Sequence, residues 1–138
     1  MKTSTAVIAA AAAAGIAVLV PAGASAAPQR CVSAKPTPDF YAAGRISTTP
    51  VTDTNRRCTT IAVSGIRDAA DPSDTCQTFL VALTNPGADP TYTEPVPACA
   101  GGRTVLATGI PAGTEFRVIY QVDYIDPAPQ VVRFNVWY

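Results

Sequence analysis

Arg103–Tyr124 reads RTVLATG, then Ile110-Pro111-Ala112-Gly113-Thr114, then EFRVIYQVDY, and this stretch decides the fold. Its second half alternates strictly. Phe116, Val118, Tyr120, Val122 and Tyr124 fall on one face and Glu115, Arg117, Gln121 and Asp123 on the other, the period of a half-buried strand. Pro111 and Gly113 interrupt the pattern before it, so the stretch predicts strand, tight corner, strand.

Outward from this corner, apolar runs recur between turn residues at intervals of about 8 to 15 residues, the spacing of an all-β sandwich. Strands are predicted near 45–51, 59–66, 78–84, 91–96, 104–110, 115–124 and 131–138, about seven in all. Asp71-Pro72-Ser73-Asp74, Asn85-Pro86-Gly87-Ala88-Asp89-Pro90 and Asp126-Pro127-Ala128-Pro129 serve as connectors, since proline and glycine end regular pairing there. Residues 27–44 hold Pro28, Pro36 and Pro38 without a sustained period and read as an extended lead-in pinned by Cys31, leaving 45–138 as the sandwich domain.

The first 26 residues have Lys2, an apolar stretch from Ala6 to Val20, a breaker at Pro21 and small residues at Ala24 and Ala26. That layout predicts a secretory signal peptide cut after Ala26. About 15 apolar residues are too few to cross a ~30 Å hydrocarbon core as a helix, so no membrane association is expected after cleavage. The remaining chain, roughly 112 residues, is the size of one domain with a modest core. A secreted, extracellular monomer of bacterial type is the expectation.

The corner Gly109-Ile110-Pro111-Ala112-Gly113-Thr114-Glu115-Phe116-Arg117-Val118 resembles the turn between the fifth and sixth strands of fibronectin type III domains. The resemblance implies an antiparallel, immunoglobulin-like sandwich. This chain departs from the family in the extra Ala112, in Phe116 where a tyrosine is usual, and in having no tryptophan in its second strand.

Four cysteines in a short exported chain predict two disulfides. Zinc is the competing use, but the chain has no C-x-x-C pair and no histidine. In the sandwich, Cys58 and Cys76 begin consecutive antiparallel strands and lie a strand length apart, roughly 20 to 25 Å. A disulfide needs Cα atoms about 4.4 to 6.8 Å apart. Cys99 returns to the end where Cys76 lies, so the pairs expected are Cys31 with Cys58 and Cys76 with Cys99.

The ten basic and ten acidic residues balance, and only Arg56 and Arg57 are adjacent, which argues against nucleic acid as a partner. The lack of histidine removes Ser-His-Asp and Cys-His nucleophile arrangements and the usual proton shuttle near neutral pH. Glycoside hydrolysis needs only two carboxyl groups, for which Glu94, Glu115, Asp123 and Asp126 are candidates. Their positions on polar faces and in turns favour a solvated role, so no enzyme activity and no cofactor are expected. Asp68, Asp71 and Asp74 lie three apart in one loop, a weak alternative as a calcium site against their ordinary use as turn formers.

The last strand supplies the candidate binding surface. With Val132, Phe134, Val136 and Tyr138 inward, Arg133, Asn135 and Trp137 face out, and pairing with the preceding strand through the turn near Pro127 would add Arg117 and Ile119. A flat aromatic beside planar hydrogen-bonding groups suits a sugar ring or a protein. Phe40, Tyr41 and Tyr92 read as local packing. The expected function is therefore an extracellular binding module for a protein or polysaccharide. The alternative is a secreted inhibitor of a hydrolase such as α-amylase: the Cys58-to-Cys76 spacing with its acidic turn resembles tendamistat-type inhibitors, although Phe40-Tyr41-Ala42-Ala43-Gly44-Arg45 stands where that family carries its Trp-Arg-Tyr turn.

Overall fold

The computed structural model describes residues 30–41, 45–121 and 131–138. The expected signal peptide and Val122, Asp123, Tyr124 and Asp126 lie outside the described residues. The strand segments are β1 (Ser33–Ala34), β2 (Pro38–Tyr41), β3 (Arg45–Thr48), β4 (Val51–Thr52), β5 (Thr60–Asp68), β6 (Cys76–Thr84), β7 (Thr91–Tyr92), β8 (Val96–Cys99), β9 (Thr104–Thr108), β10 (Glu115–Gln121) and β11 (Val132–Trp137). No helix occurs among the described residues.

Two antiparallel sheets form a sandwich-like, all-β fold. One runs β1-β11-β5-β9; the other runs β2-β3-β10-β6-β7, with β4 also on β10 and β8 on β6. Their facing sides share one core, to which Ile61, Val63, Ile66, Phe134 and Val136 come from the first sheet and Phe79, Val81, Phe116, Val118 and Tyr120 from the second. Phe134 sits between the sheets, its ring centroid 4.9 Å from that of Phe79 and 6.0 Å from that of Tyr120. Tilted and edge-on ring contacts of this kind add to the burial of large apolar area.

Two expected strands are split by proline. Strand 45–51 divides into β3 and β4, and 91–96 into β7 and β8, and each second piece starts directly after a proline, Pro50 or Pro95. Proline lacks the N–H that the ladder needs, so pairing stops and resumes displaced. Residues 27–44 do more than lead in. β1 pairs with β11 in one sheet and β2 with β3 in the other, so this segment crosses between both layers.

Two bulges set which side chains face the core. On β5, Ile61 and Val63 point in, and strict alternation would then send Gly65 and Arg67 inward. The register against β11 slips by one between Arg133 and Asn135, where Gly65 takes a φ of 64°, and Ile66 and Asp68 become the buried residues instead. A glycine in the left-handed region is the usual occupant of such a bulge. On β9 a second slip leaves the consecutive residues Leu106 and Ala107 both buried.

The Ile110–Thr114 corner carries the chain from one sheet to the other. Ile110 is buried and its N–H donates to the Thr59 carbonyl; Thr114 N–H closes the turn onto the Pro111 carbonyl at 3.2 Å. Gly113, with φ of 93°, sits at the third turn position, where a side chain would be strained. Phe116 then enters the core, its ring centroid 5.5 Å from that of Tyr138.

Cys31 is joined to Cys58 and Cys76 to Cys99. Cys76 and Cys99 are cross-strand neighbours on β6 and β8. Ala100 N–H donates to the Thr75 carbonyl next door, which makes the cysteine pair a non-hydrogen-bonded one, where side chains approach closest. Sequence separations of 27 and 23 residues place each bridge at about 3.5 kcal/mol in the chain-entropy account, against a total domain stability of ~5–15 kcal/mol.

The expected hairpin between the last two strands does not form. β10 is flanked by β6 on one side and by β3 and β4 on the other, whereas β11 lies between β1 and β5 in the opposite sheet. β10 has no edge left to offer, and its consecutive buried residues Val118, Ile119 and Tyr120 are those of a central strand covered on both faces.

Candidate functional site

The five side chains expected to form one patch are divided between the two outer surfaces of the sandwich. Trp137, Arg133 and Asn135 lie on the outer face of the four-stranded sheet; Arg117 and Ile119 lie on that of the seven-stranded sheet.

On the seven-stranded face, Ile119 is 0% exposed, packed with Leu80 and Ala82 under Tyr41. The Tyr41 hydroxyl meets the Tyr92 hydroxyl in a hydrogen bond, so tyrosines from opposite sides of the sheet arch over this small second cluster. That bond, with some burial, raises the Tyr41 pKa above the ordinary value of 10.0. Arg117 donates to the Asp39 carboxylate at 2.8 Å, to Ser47 Oγ at 3.2 Å and to the Thr48 carbonyl at 3.3 Å. Its guanidinium ties β10 to β2 across β3. Neither residue is free to receive a ligand, because each already has its partners within the chain.

The four-stranded face is different. Ser33, Trp137, Ala62 and Val105 form one row across it, directly opposite one another in register. Ala62 points outward yet is 1% exposed, sheltered between Trp137 and Val105, which itself is 46% exposed. The indole is half-buried. Its Nε1–H donates to Ser64 Oγ at 2.8 Å, and the Arg103 guanidinium lies 3.6 Å above the ring centroid. This pair of contacts fixes the ring flat on the sheet and puts a cation on top of it. The stacking arginine, Arg103, follows the Gly101-Gly102 turn.

Toward the other end of the face, Asn135 lies opposite Ser64 and Arg133 opposite Arg67. A Cβ at Gly65 would come within 3.0 Å of Asn135 Nδ2, so the bulge glycine is also what lets the amide lie close to the backbone. Lys35 follows β1 nearby. A groove of about 600 Å³ is bounded by Lys35, Pro36 and Pro38 of the crossover, by Gly65–Arg67 and Val131–Asn135, and by Ala100, which follows β8 of the other sheet; its charged side chains among the described residues are Lys35, Arg67 and Arg133. Among the described residues no carboxylate lines it.

The aspartates of the β5–β6 loop act on their own backbone. Asp68 is buried and its Oδ1 accepts the N–H groups of Ala70 and Asp71; Asp71 accepts from Ser73 N–H and Oγ–H, and Asp74 from Cys76 N–H. The Ser73 hydroxyl, followed by its N–H, holds the Asp71 carboxyl below its ordinary value. These are Asx turns. Among the described residues no group of three or more His, Cys, Asp or Glu side chains is placed to hold a metal ion. Glu94 and Glu115 are exposed on separate elements, Glu115 on β10 and Glu94 in the segment between β7 and β8.

Arg67, Arg103 and Lys35 were not singled out from the sequence. Arg67 becomes a surface neighbour of Arg133 only through the β5 bulge, whose one signal was a glycine inside an otherwise regular strand pattern. Comparison with protein-family models, with curated proteins and with solved structures gave no match to this chain.

Proposed function

We propose that the chain is a secreted, non-enzymatic, immunoglobulin-like sandwich acting as an extracellular binding module, with the outer face of the four-stranded sheet as its binding surface. The leader pattern and the two disulfides support an oxidising, extracellular destination. The observation that carries the binding role is the composition of that face: Trp137, Asn135 and Arg133 stand together with Arg67, Arg103 and Lys35, in a chain whose basic and acidic residues are equal in number overall. Hydrogen-bonding planes and a fixed indole on a rigid sheet suit recognition more than turnover.

The test compares wild type and Trp137→Ala on a glycan array and in pull-downs from culture medium, with Arg117→Ala as the variant on the opposite face. Retention that drops for Trp137→Ala and persists for Arg117→Ala is expected. Equal retention by all three proteins discards this surface. Inhibition of amylases or serine proteases by the purified protein at micromolar levels would replace the binding-module reading with the inhibitor one.

A further inference from the structure

We infer that the ligand of this face is an acidic polysaccharide, whose carboxylate or sulfate groups are gripped in the groove by Lys35, Arg67 and Arg133; the inference rests on the binding-module reading above. Arg133 and Arg67 stand directly opposite each other on adjacent strands. Like charges in that position destabilise a sheet, and nothing in the fold requires them there. Among the described residues neither arginine is ion-paired with a carboxylate, whereas Arg117 on the other sheet is paired with Asp39.

Residues on directly opposed positions have Cβ atoms about 4.5–5.5 Å apart, which lets two guanidinium forks reach the same anionic group or two neighbouring ones. Arginine presents its donors as a rigid planar fork that matches carboxylate and sulfate oxygens, and Lys35 adds a mobile third charge from the crossover. Asn135 supplies both a donor and an acceptor for hydroxyl groups beside them. Pro36, Pro38 and Val131 give the groove apolar walls for the faces of sugar rings.

The shape favours a sugar chain over an acidic protein. A groove of about 600 Å³ has the concavity and size of a small-ligand cleft. A protein partner would be expected to need a desolvated apolar or aromatic anchor at the centre of its contact, and the centre here is occupied by exposed arginines.

The test is titration of the full mature protein with polygalacturonate, dextran sulfate, neutral dextran, poly-glutamate and inorganic sulfate, for wild type, Arg67→Glu, Arg133→Glu and Trp137→Ala. Wild type should bind one or both acidic polysaccharides, weaken steeply with added salt, and ignore neutral dextran. Each charge reversal should lower affinity by roughly tenfold or more while the melting temperature stays level or rises. The carboxylated and sulfated polymers separate the two sources of negative charge. Poly-glutamate or free sulfate binding as tightly as the polysaccharides would overturn the inference, as would charge reversals that leave affinity unchanged. Trp137-dependent retention of a neutral glycan or a protein, without acidic polymer binding, would overturn this inference and leave the module reading standing; no retention of anything would remove both.

Discussion

Arg117 and Arg133 make an instructive pair. Both are set on long strands of the sandwich with their side chains on an outer face, and both were expected in one patch. Arg117 has an aspartate, a serine hydroxyl and a carbonyl around it, while Arg133 has Arg67 across the ladder. The surrounding faces follow the same division. The seven-stranded face is roofed by Tyr41 and Tyr92 and buries Ile119; the four-stranded face leaves Val105 open and gathers cations. One face has been folded into a second small core. The other carries an electrostatic cost that the fold alone does not reward.

The largest expected effect tests the closed face. Ile119→Ala should cost about 2–4 kcal/mol in urea unfolding, since it empties a fully enclosed site, whereas Val105→Ala at the open face should stay within ~0.5 kcal/mol. Comparable losses at both positions would end the distinction. Next in size, Arg117→Ala should lose about 1–2 kcal/mol, because the buried Ser47 hydroxyl and the Asp39 carboxylate lose a shared donor; partial exposure of the pair keeps the figure modest. A thermal melt indistinguishable from wild type would show that Arg117 is as unencumbered as Arg133. The smallest effect has the opposite sign. Arg67→Glu turns a like-charge pair into an attractive one and should stabilise by a few tenths of a kcal/mol, up to about 1 kcal/mol at low salt. A destabilising result would mean that Arg67 already has a partner.

Much of the architecture is legible in the sequence. The alternation of Phe116, Val118 and Tyr120 gave the core face of β10 correctly, and the breaker spacing gave an all-β chain in which the cysteines pair as Cys31 with Cys58 and Cys76 with Cys99. Local pattern determines which side of a strand is apolar. It does not determine which strand lies alongside. β10 and β11 are consecutive and both alternate, yet they belong to different layers, because adjacency is decided by how the whole sandwich closes. The candidate patch failed as a unit for that reason. Ile119 was hidden by Tyr41 and Tyr92, residues far from it in sequence, and Arg67 was turned outward by a bulge whose position depends on the partner strand.

The pairing of β1 with β11 has a consequence for how the molecule is made. Val32 and Tyr138 exchange both backbone hydrogen bonds, so the earliest described strand finds its neighbour only at the far end of the chain. The β11 seam must therefore close across nearly the whole described sequence, a contact of the longest range the topology allows, and such contacts are the slow ones. The Cys31–Cys58 bridge ties the segment before β1 to the entry of β5, the two strands that flank β11. Among the described strands, the four-stranded sheet is completed only by the element latest in sequence, which lies between two of the earlier ones.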